Sequence, residues 1–278
     1  MGVPMSGSQR GMSRSPLLAI YAVLVFAFLY LPIVVLIIYS FNGEGVGGFP
    51  PKNFTLRWYQ VLLSDGAIWD SVVNSLLVAV GTVAFSLVFG LLAALALDRA
   101  TFPGKAIFRR LVLLPLILPG IITGLSLLMF AVFVKLQLSL LTVFIGMGTA
   151  LISVATTELY AGLQKMDRAQ EEASLDLGAT PWQTFWRVTL PNLKLSLIAA
   201  GLLIFTLSMD EIAVTFFLIG RDNTLPLEIW ARLRRGITPE INAVSSLIFG
   251  VSVILILIWY RIRTSSTGAE AQELLERP

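Results

Sequence analysis

The chain has 278 residues, of which 56% are hydrophobic and 13% are charged, with a mean hydropathy of +0.83 and a net charge of +3. A soluble domain carries about 25% charged residues, so this composition excludes a soluble globular protein and a disordered one, and predicts that lipid surrounds most of the chain. Histidine and cysteine are absent, which excludes disulfides, the usual zinc, iron–sulfur and haem sites, and catalysis by Cys or a Ser–His pair. We therefore expect no metal site, no cofactor and no catalytic residue, and we do not interpret the small positive charge as nucleic-acid binding.

Six apolar stretches are long enough to cross a bilayer, whose hydrocarbon core of about 30 Å requires about 20 residues of helix. The first is too long for the core of a signal peptide and no small-residue cleavage site follows it, so we interpret it as an uncleaved anchor. The predicted fold class is an all-α membrane protein, a bundle of six transmembrane helices. The six predicted spans are Leu17–Ser40, Val72–Leu97, Leu111–Val134, Leu138–Gly162, Leu195–Ile219 and Ala243–Tyr260.

The distribution of Lys and Arg predicts the orientation, because these residues accumulate in cytoplasmic loops. With both termini inside, the inner segments carry 13 of the 20 Lys and Arg residues and the outer loops carry the other 7. This predicts a cytoplasmic segment 1–16, a transmembrane domain 17–263 with a cytoplasmic loop 163–192, and a cytoplasmic tail 264–278. The last outer loop carries four arginines against the trend, mostly in Leu225–Arg235, an amphipathic segment that we predict to be a short interfacial helix. These arginines are either simply tolerated or form a docking or gating surface.

The third span contains Pro115 and Pro119, followed by the pair Gly120 and Gly124. Proline removes a backbone hydrogen bond and disturbs the preceding turn, whereas a G-x-x-x-G pair lets a second helix approach closely. Two interpretations stay open: a kinked packing helix, or a broken helix beside a transport pathway. In the second case, Thr123 is a candidate pathway residue.

Two carboxylates, Asp210 and Glu211, lie within the otherwise apolar fifth span. Charge inside a membrane costs at least a few kcal/mol, so such groups face a bundle interior or a water-filled cavity. In a continuous helix, Ser208, Glu211 and Thr215 share one face. We predict that these residues and Asp210 line the route of a cationic substrate, with Glu211 as the main pathway residue and Asp210 as a structural group that caps backbone donors of a neighbouring broken helix. The alternative is that both carboxylates pair with an Arg or a backbone donor of a neighbouring helix.

The inner loop 163–192 predicts two short helices separated by a bend. Glu171 and Glu172 fall in the early turns of the first helix, where negative charge is favourable. Gly178 permits the left-handed residue that ends this helix, and Pro181 suits the first turn of the second. The aromatic residues of the loop either rest on the membrane interface or dock a partner.

One motif in this loop reads Glu172-Ala173-Ser174, three residues, Gly178, nine residues, and Val188-x-Leu190-Pro191. The spacing resembles the coupling loop, or EAA loop, of ABC importer permeases, with Ser174 in place of the second Ala and Val188 in place of Ile. The resemblance covers nearly the whole chain and is greatest to the second permease subunit of the spermidine/putrescine-type branch. Its other segments are Leu114–Leu125, Phe205–Glu211, Asn223–Pro226 and Pro239–Ala243.

The resemblance implies a multi-pass protein of the bacterial inner membrane with the fold of these permeases. It also implies four kinds of partner: a second homologous permease, two cytoplasmic ATP-binding subunits, an extracytoplasmic substrate-binding protein and the lipid bilayer. In the family, the glutamate and glycine of the motif seat the loop in a groove of the ATPase. The candidate ATPase-coupling residues are Glu171, Glu172, Ala173, Gly178, Leu190 and Pro191.

The sequence contains no G-x-x-x-x-G-K-[ST] loop, so we predict that the chain is not an enzyme and that a partner hydrolyses ATP. The leading hypothesis is a permease subunit of an ATP-driven importer for a small organic cation, a polyamine such as spermidine or putrescine, that works by alternating access. Other cargoes of this importer class stay open: opines, amino-acid derivatives, phosphonates and iron. The alternative of another class is a membrane scaffold that does not transport.

Overall fold

The computed structural model describes residues 16–44, 50–236, 238–254 and 257, and every regular element among them is a helix. The chain divides into two compact units, Asp65–Arg234 and the flanking parts Met1–Ser64 with Arg235–Pro278. The predicted cytoplasmic segment before Pro16, the predicted tail and the end of the predicted sixth span lie outside the described residues.

The helices follow one another along the chain, with a 3₁₀ turn (Leu114–Leu116) after the fourth and a π turn (Phe185–Thr189) between the eighth and ninth. Their bounds are α1 (Pro16–Tyr39), α2 (Arg57–Ser64), α3 (Gly66–Arg99), α4 (Lys105–Leu113), α5 (Gly120–Phe133), α6 (Leu140–Lys165), α7 (Ala169–Asp176), α8 (Pro181–Thr184), α9 (Leu190–Asn192), α10 (Lys194–Met209), α11 (Ala213–Leu218), α12 (Leu225–Arg235) and α13 (Pro239–Ile254).

Three helices, α1, α3 and α6, are each long and apolar enough to cross a membrane alone. They confirm that the first, second and fourth predicted spans are continuous apolar helices. Two further candidates are pairs of helices bent at a break: Lys105–Leu116 with α5, and Pro181–Asn192 with α10. Counting each pair as one span raises the number of candidate spans in the described chain to five. The helix α13 is apolar but shorter. The count of six spans and the side on which the termini lie stay predictions.

The predicted third span consists of two helices that meet at a sharp angle. The segment Lys105–Leu116 and α5 are bent by 107° at a short break that ends at Pro119. Pro115 and Pro119 cannot donate a backbone hydrogen bond, and Pro119 has an extended ψ of 136°, so the helix cannot continue through it. Of the two interpretations of this segment, the structure has the broken helix.

The predicted fifth span is also interrupted, and the expectation of one continuous helix over Leu195–Ile219 is wrong. α10 ends at Met209 and α11 begins at Ala213, although no proline or glycine lies between them. Glu211 Oε1 accepts the backbone N–H of Val214 at 2.9 Å. In a continuous helix that N–H would bond to the carbonyl of Asp210, so the carboxylate competes with the helical hydrogen bond and ends the regular pattern.

Small side chains hold α3 close to α6 in the central unit. A Cβ added at Gly90 would lie 2.3 Å from Ala155 Cβ, so the two backbones approach as closely as glycine allows. Ala94 and Ala155 are fully buried, and Ser86 Oγ donates to the Gly148 carbonyl at 3.0 Å. Small residues and buried hydroxyls are the usual means by which membrane helices associate, because lipid supplies no hydrophobic drive between them.

In the flanking unit, hydroxyl groups connect the three helices. Tyr59 OH, on α2, lies 2.6 Å from Ser40 Oγ, just after α1, and 2.7 Å from Ser246 Oγ, on α13. Ser40 and Ser246 are buried. This chain of hydrogen bonds satisfies polar groups that would otherwise be buried without partners.

A cluster of charges joins the start of α3 to α12, whose bounds match the predicted interfacial helix. Asp65 caps α3, accepting from the backbone N–H groups of Ala67 and Ile68 at 3.1 and 3.3 Å. Arg232 Nη1 lies 2.7 Å from Asp65 Oδ2, and its Nε lies 2.8 Å from Glu228 Oε1. One of the four arginines that depart from the orientation trend therefore holds α12 to α3.

The hydrogen bond from Arg232 lowers the pKa of Asp65 below its ordinary value of 3.8, and the Coulombic attraction of the same guanidinium adds to this effect. A lowered pKa stabilises the fold above the unfolded value, and the stabilisation is lost as the pH falls through the folded value. We expect Asp65→Asn, which can still cap the helix, to lower stability by about 1 kcal/mol near pH 7. The difference from wild type should begin to narrow below about pH 4, the unfolded pKa, and should keep narrowing as the pH falls through the lower folded value.

The measurement is the thermal midpoint of the detergent-solubilised chain between about pH 7 and about pH 3. Asp70→Asn is the matched control, because Asp70 is an exposed carboxylate of the same helix without an ion pair in the described chain. A gap between wild type and Asp65→Asn that is independent of pH would contradict the ion pair as its source.

Candidate functional site

The first helix of the loop 163–192 is α7, and its start is fixed by side chains. Asp167 Oδ1 accepts the backbone N–H of Ala169 at 3.0 Å, directly after α6 ends at Lys165. Glu171 and Glu172 lie in the first turn, where the partial positive charge of the helix terminus favours carboxylates.

The bend after α7 has the left-handed residue that Gly178 predicts. Gly178 has φ +88°, its N–H bonds to the Leu175 carbonyl at 2.9 Å, and the N–H of Ala179 bonds to the Ser174 carbonyl at 3.1 Å. This pair of bonds is a Schellman motif, in which a left-handed residue ends the helix. A Cβ at Gly178 would meet no neighbouring atom, so the backbone angle alone makes glycine suitable here.

The second helix, α8, begins with a capping box in which Thr180 Oγ1 accepts from the N–H of Gln183 while Gln183 Oε1 accepts from the N–H of Thr180. Pro181 occupies its first turn, as predicted. The π turn before α9 precedes Pro191, which has no N–H and whose ring would clash with the carbonyl four residues back in a tighter helix.

Glu171 connects three parts of the central unit at the end that carries the loop 163–192. Its Oε1 accepts from Arg99 Nη2, at the end of α3, and from Thr189 Oγ1, in the π turn. The Glu171 side chain is largely buried and Thr189 is fully buried. The carboxylate therefore fixes α7 against both α3 and the segment that leads into α10.

Further polar contacts hold the loop on the helices. Asp98, at the end of α3, has a buried side chain that accepts from Arg168 Nη2 at 3.1 Å and also from Gln164. Across the bend, Ser174 Oγ lies 3.0 Å from Thr184 Oγ1. The serine that replaces the family's second Ala therefore adds a bond between α7 and α8.

In contrast to Glu171, the neighbouring Glu172 is exposed, and its carboxylate makes no hydrogen bond or ion pair within the described chain. Ala173 and Pro191 are also exposed, while Leu190 is half-buried. Beside them, Trp182 is 68% exposed and stacks with Phe185 at a centroid distance of 5.9 Å. The loop thus presents a free carboxylate next to an aromatic surface.

The second group of predicted residues lies at the break between α10 and α11. Thr215 is buried, and its Oγ1 donates to the Glu211 carbonyl at 3.1 Å and lies 3.7 Å from Met147 Sδ. Ser208 Oγ is buried without a hydrogen-bond partner in the described chain. The shared helical face predicted for Ser208, Glu211 and Thr215 does not exist, because the helix is interrupted between them.

The break between α10 and α11 lies against α5, at the glycine pair Gly120 and Gly124. A Cβ at Gly124 would lie 3.0 Å from the Ala213 carbonyl oxygen, and one at Gly120 would lie 3.7 Å from Glu211 Oε1. The close approach that the G-x-x-x-G pair predicted is therefore made with α11. Thr123, between the two glycines, is half-buried, and its Oγ1 lies 3.4 Å from the Pro119 carbonyl.

Glu211 and Asp210 have different surroundings. Glu211 is half-buried and lines a cavity of about 110 Å³ together with Met147, Leu207 and Val214. Asp210 is exposed, follows the last residue of α10, and makes no ion pair within the described chain. The assignment of backbone capping to Asp210 is thus corrected: Glu211 makes the capping bond, because its longer side chain reaches the third residue beyond it.

Sequence reasoning missed the side chains that anchor the loop. Asp98 and Arg99 are ordinary polar residues at the end of a span, and nothing in their spacing indicates that one meets Arg168 and the other Glu171. The capping box of Thr180 and Gln183 had a readable signal, because Thr-x-x-Gln at the start of a helix is a known pattern.

Comparisons with known proteins identify the family of the chain. Residues 86–264 match the family model described as Binding-protein-dependent transport system inner membrane component. The Putrescine transport system permease protein PotI of Escherichia coli (strain K12) is 35% identical over 256 residues, which cover 89% of this chain and 91% of that protein. The Spermidine/putrescine transport system permease protein PotC of the same strain is 31% identical over 235 residues, 84% of this chain and 88% of that protein.

Among solved structures, the crystal structure of a bacterial ABC transporter involved in the import of the acidic polysaccharide alginate aligns with a TM-score of 0.66 at 20% identity, covering 92% of this chain and 98% of that chain. At this identity the similarity concerns the fold, which is that of an ABC importer permease. The family model covers more than half of the sequence, and the two relatives match over most of it. The chain therefore belongs to the family of binding-protein-dependent transport system inner membrane components, the permease subunits of ABC importers.

Proposed function

We propose that this permease imports a polyamine, putrescine or spermidine, across the bacterial inner membrane by alternating access. The observation that carries the proposal is the 35% identity to a putrescine permease over nearly the full length of both chains. The half-buried carboxylate of Glu211 beside a cavity supports a cationic cargo, because a negative charge at membrane depth attracts a cation.

We propose four partners: a second homologous permease, two cytoplasmic ATP-binding subunits and an extracytoplasmic substrate-binding protein. The family is described as binding-protein-dependent, and the sequence has no phosphate-binding loop of its own. ATP hydrolysis therefore belongs to a partner subunit. The substrate-binding protein would supply most of the cargo selectivity.

The loop 163–192 supports a division of labour in coupling. Glu171, held by Arg99 and Thr189, carries force from the loop into α3 and towards α10. Glu172 and Ala173 present the docking face, Gly178 sets the direction of the bend, and the segment ending at Leu190 and Pro191 leads into α10. A loop that is anchored to the helices and presents an unpaired carboxylate is suited to transmit the movement of a bound ATPase to the membrane helices.

The coupling proposal predicts different effects for the two adjacent glutamates. Glu172→Ala should leave insertion and thermal stability unchanged but lower polyamine uptake and substrate-stimulated ATP hydrolysis by at least about tenfold, the loss of one charge-assisted contact. Gly178→Val should also insert and lose both activities, but with lower thermal stability, since a β-branched residue is strained at the left-handed angle. Glu171→Gln should lower the free energy of unfolding by about 1.5–3 kcal/mol.

Asp176→Asn is the control for the uptake assay, since Asp176 is an exposed carboxylate at the end of α7 without a partner in the described chain. Uptake is measured with the assembled complex in vesicles. Wild-type uptake by Glu172→Ala would show that this residue has no part in coupling, and an equal loss of stability in both glutamate variants would contradict the division of roles.

We propose that the substrate pathway passes the break between α10 and α11, with Thr123, Ser208, Asp210, Glu211 and Thr215 as its candidate residues. The unpartnered hydroxyl of Ser208 and the cavity beside Glu211 support this location. Breaks in membrane helices are tolerated where they line a cavity, and such breaks carry the substrate sites of many transporters.

Glu211→Gln tests the charge at this break without removing the cap, because the amide oxygen can still accept from Val214. We expect normal expression and complex yield, and about tenfold weaker uptake of putrescine at subsaturating concentration, a change of about 1.4 kcal/mol. Asp210→Asn, the adjacent control, should assemble normally and affect uptake less. Unchanged uptake in Glu211→Gln would refute its pathway role, whereas equal losses in the two variants would contradict the assignment of Glu211 as the main pathway residue.

We propose that six spans cross the membrane with both termini and the loop 163–192 in the cytoplasm. The absence of native cysteine makes single-cysteine labelling direct. With a membrane-impermeant maleimide on spheroplasts, Asp222→Cys should be labelled at once, and Asp176→Cys only after permeabilisation. The reverse pattern would overturn the topology and the coupling proposal with it.

A further inference from the structure

A cavity of about 610 Å³ lies between three helices: the end of α3, the helix α4, and α6 near Tyr160. Its polar lining consists of Lys105, Arg109 and Arg110 from α4, Asp98 from α3 and Tyr160 from α6. These residues belong neither to the coupling motif nor to the break between α10 and α11.

The cavity has an excess of positive charge because its carboxylate is already engaged. Asp98 has a side chain that is 3% exposed and is paired with Arg168, which is not among the lining residues. The three cations of α4 are therefore not neutralised by it.

The cations of α4 are held in place yet retain donors. Arg109 Nη2 donates to Tyr160 OH at 2.9 Å, with its guanidinium carbon 5.2 Å from the centre of the tyrosine ring. Lys105 Nζ donates to the Ala100 carbonyl at 2.8 Å and has two further protons. Arg110 is exposed and makes no ion pair or side-chain hydrogen bond within the described chain.

α4 also exposes apolar side chains beside these cations. Ile107 and Leu111 are 63% and 61% exposed, and Leu114, in the following 3₁₀ turn, is 46% exposed. A helix with cations on one part of its surface and large aliphatic residues on another is suited to the boundary between headgroups and acyl chains. A soluble anion would use only the cations, whereas a lipid would use both surfaces.

We infer that this cavity binds the phosphate headgroup of an anionic phospholipid, such as phosphatidylglycerol. Lys105, Arg109 and Arg110 contact the phosphate, and the acyl chains lie along Ile107 and Leu111. Basic pockets between membrane helices on the cytoplasmic side are suited to anionic headgroups. Asp98, which lines the cavity, and the adjacent Arg99 join the end of α3 to the loop 163–192. The bound lipid therefore lies next to the contacts that anchor this loop.

Native mass spectrometry of the assembled complex in neutral detergent tests this inference, with short-chain phosphatidylglycerol and phosphatidylcholine as probes. We expect phosphatidylglycerol to bind at least about tenfold more tightly than phosphatidylcholine. Arg110→Gln, which removes no contact within the described chain, should weaken its binding about fivefold, and Arg110→Lys should restore it. Substituting Lys105, Arg109 and Arg110 together by Gln should bring it to the level of phosphatidylcholine.

Arg187→Gln is the matched control, because Arg187 is an exposed cation of the coupling loop outside the cavity, and its lipid binding should equal that of wild type. Equal binding of both lipids by wild type, or an Arg110→Gln variant as selective as wild type, would overturn the inference. Displacement of phosphatidylglycerol by an equal concentration of glycerol 3-phosphate would overturn it as well, since the site would then recognise a soluble phosphate. The binding readout does not depend on which cargo is transported.

Discussion

Backbone N–H and C=O groups inside a membrane must find partners within the protein, and this constraint determines where the helices of the central unit can break. α3 and α6 satisfy it by running unbroken. The break between α10 and α11 satisfies it with a side chain, because Glu211 accepts the N–H of Val214 that the interrupted pattern releases. The break before α5 occurs at Pro119, which has no N–H to satisfy. Each interruption is therefore local, and the flanking helices can still pack through small residues.

The two breaks depend on each other through close packing. α5 carries glycine where α11 passes, and Gly124 leaves no room for a Cβ beside the Ala213 carbonyl. A larger residue at Gly124 would separate α5 from α11 and so displace Glu211, which lies opposite Gly120. The carboxylate, the cavity beside it and the glycine pair consequently form one structural feature, although they come from segments about 90 residues apart in the sequence.

Apolar run length and local backbone rules account for what the sequence predicted well. Hydropathy predicts the continuous helices α1, α3 and α6. Glycine's freedom at positive φ predicts the bend at Gly178, and the proline in the first turn predicts where α12 begins. The break after Met209 did not follow, because no helix-breaking residue marks it and the deciding event is a side chain competing for one amide. The contacts of Glu171 with Arg99 and of Asp98 with Arg168 were also hidden, since they join residues 70 or more positions apart that only tertiary packing brings together.

Adjacent residues with the same chemistry can serve opposite purposes, and both carboxylate pairs of this protein illustrate it. Glu171 is buried in contacts with its own chain while Glu172 is free; Glu211 caps a helix beside a cavity while Asp210 is exposed. The permease fold itself does not select a cargo, because a structure of the same fold belongs to an importer of an acidic polysaccharide. Any contribution of the permease to the choice of a cation would therefore come from local charge rather than from architecture. Of the two carboxylates at the break, only Glu211 combines partial burial with a cavity, and a charge with few water neighbours attracts a cation more strongly than an exposed one.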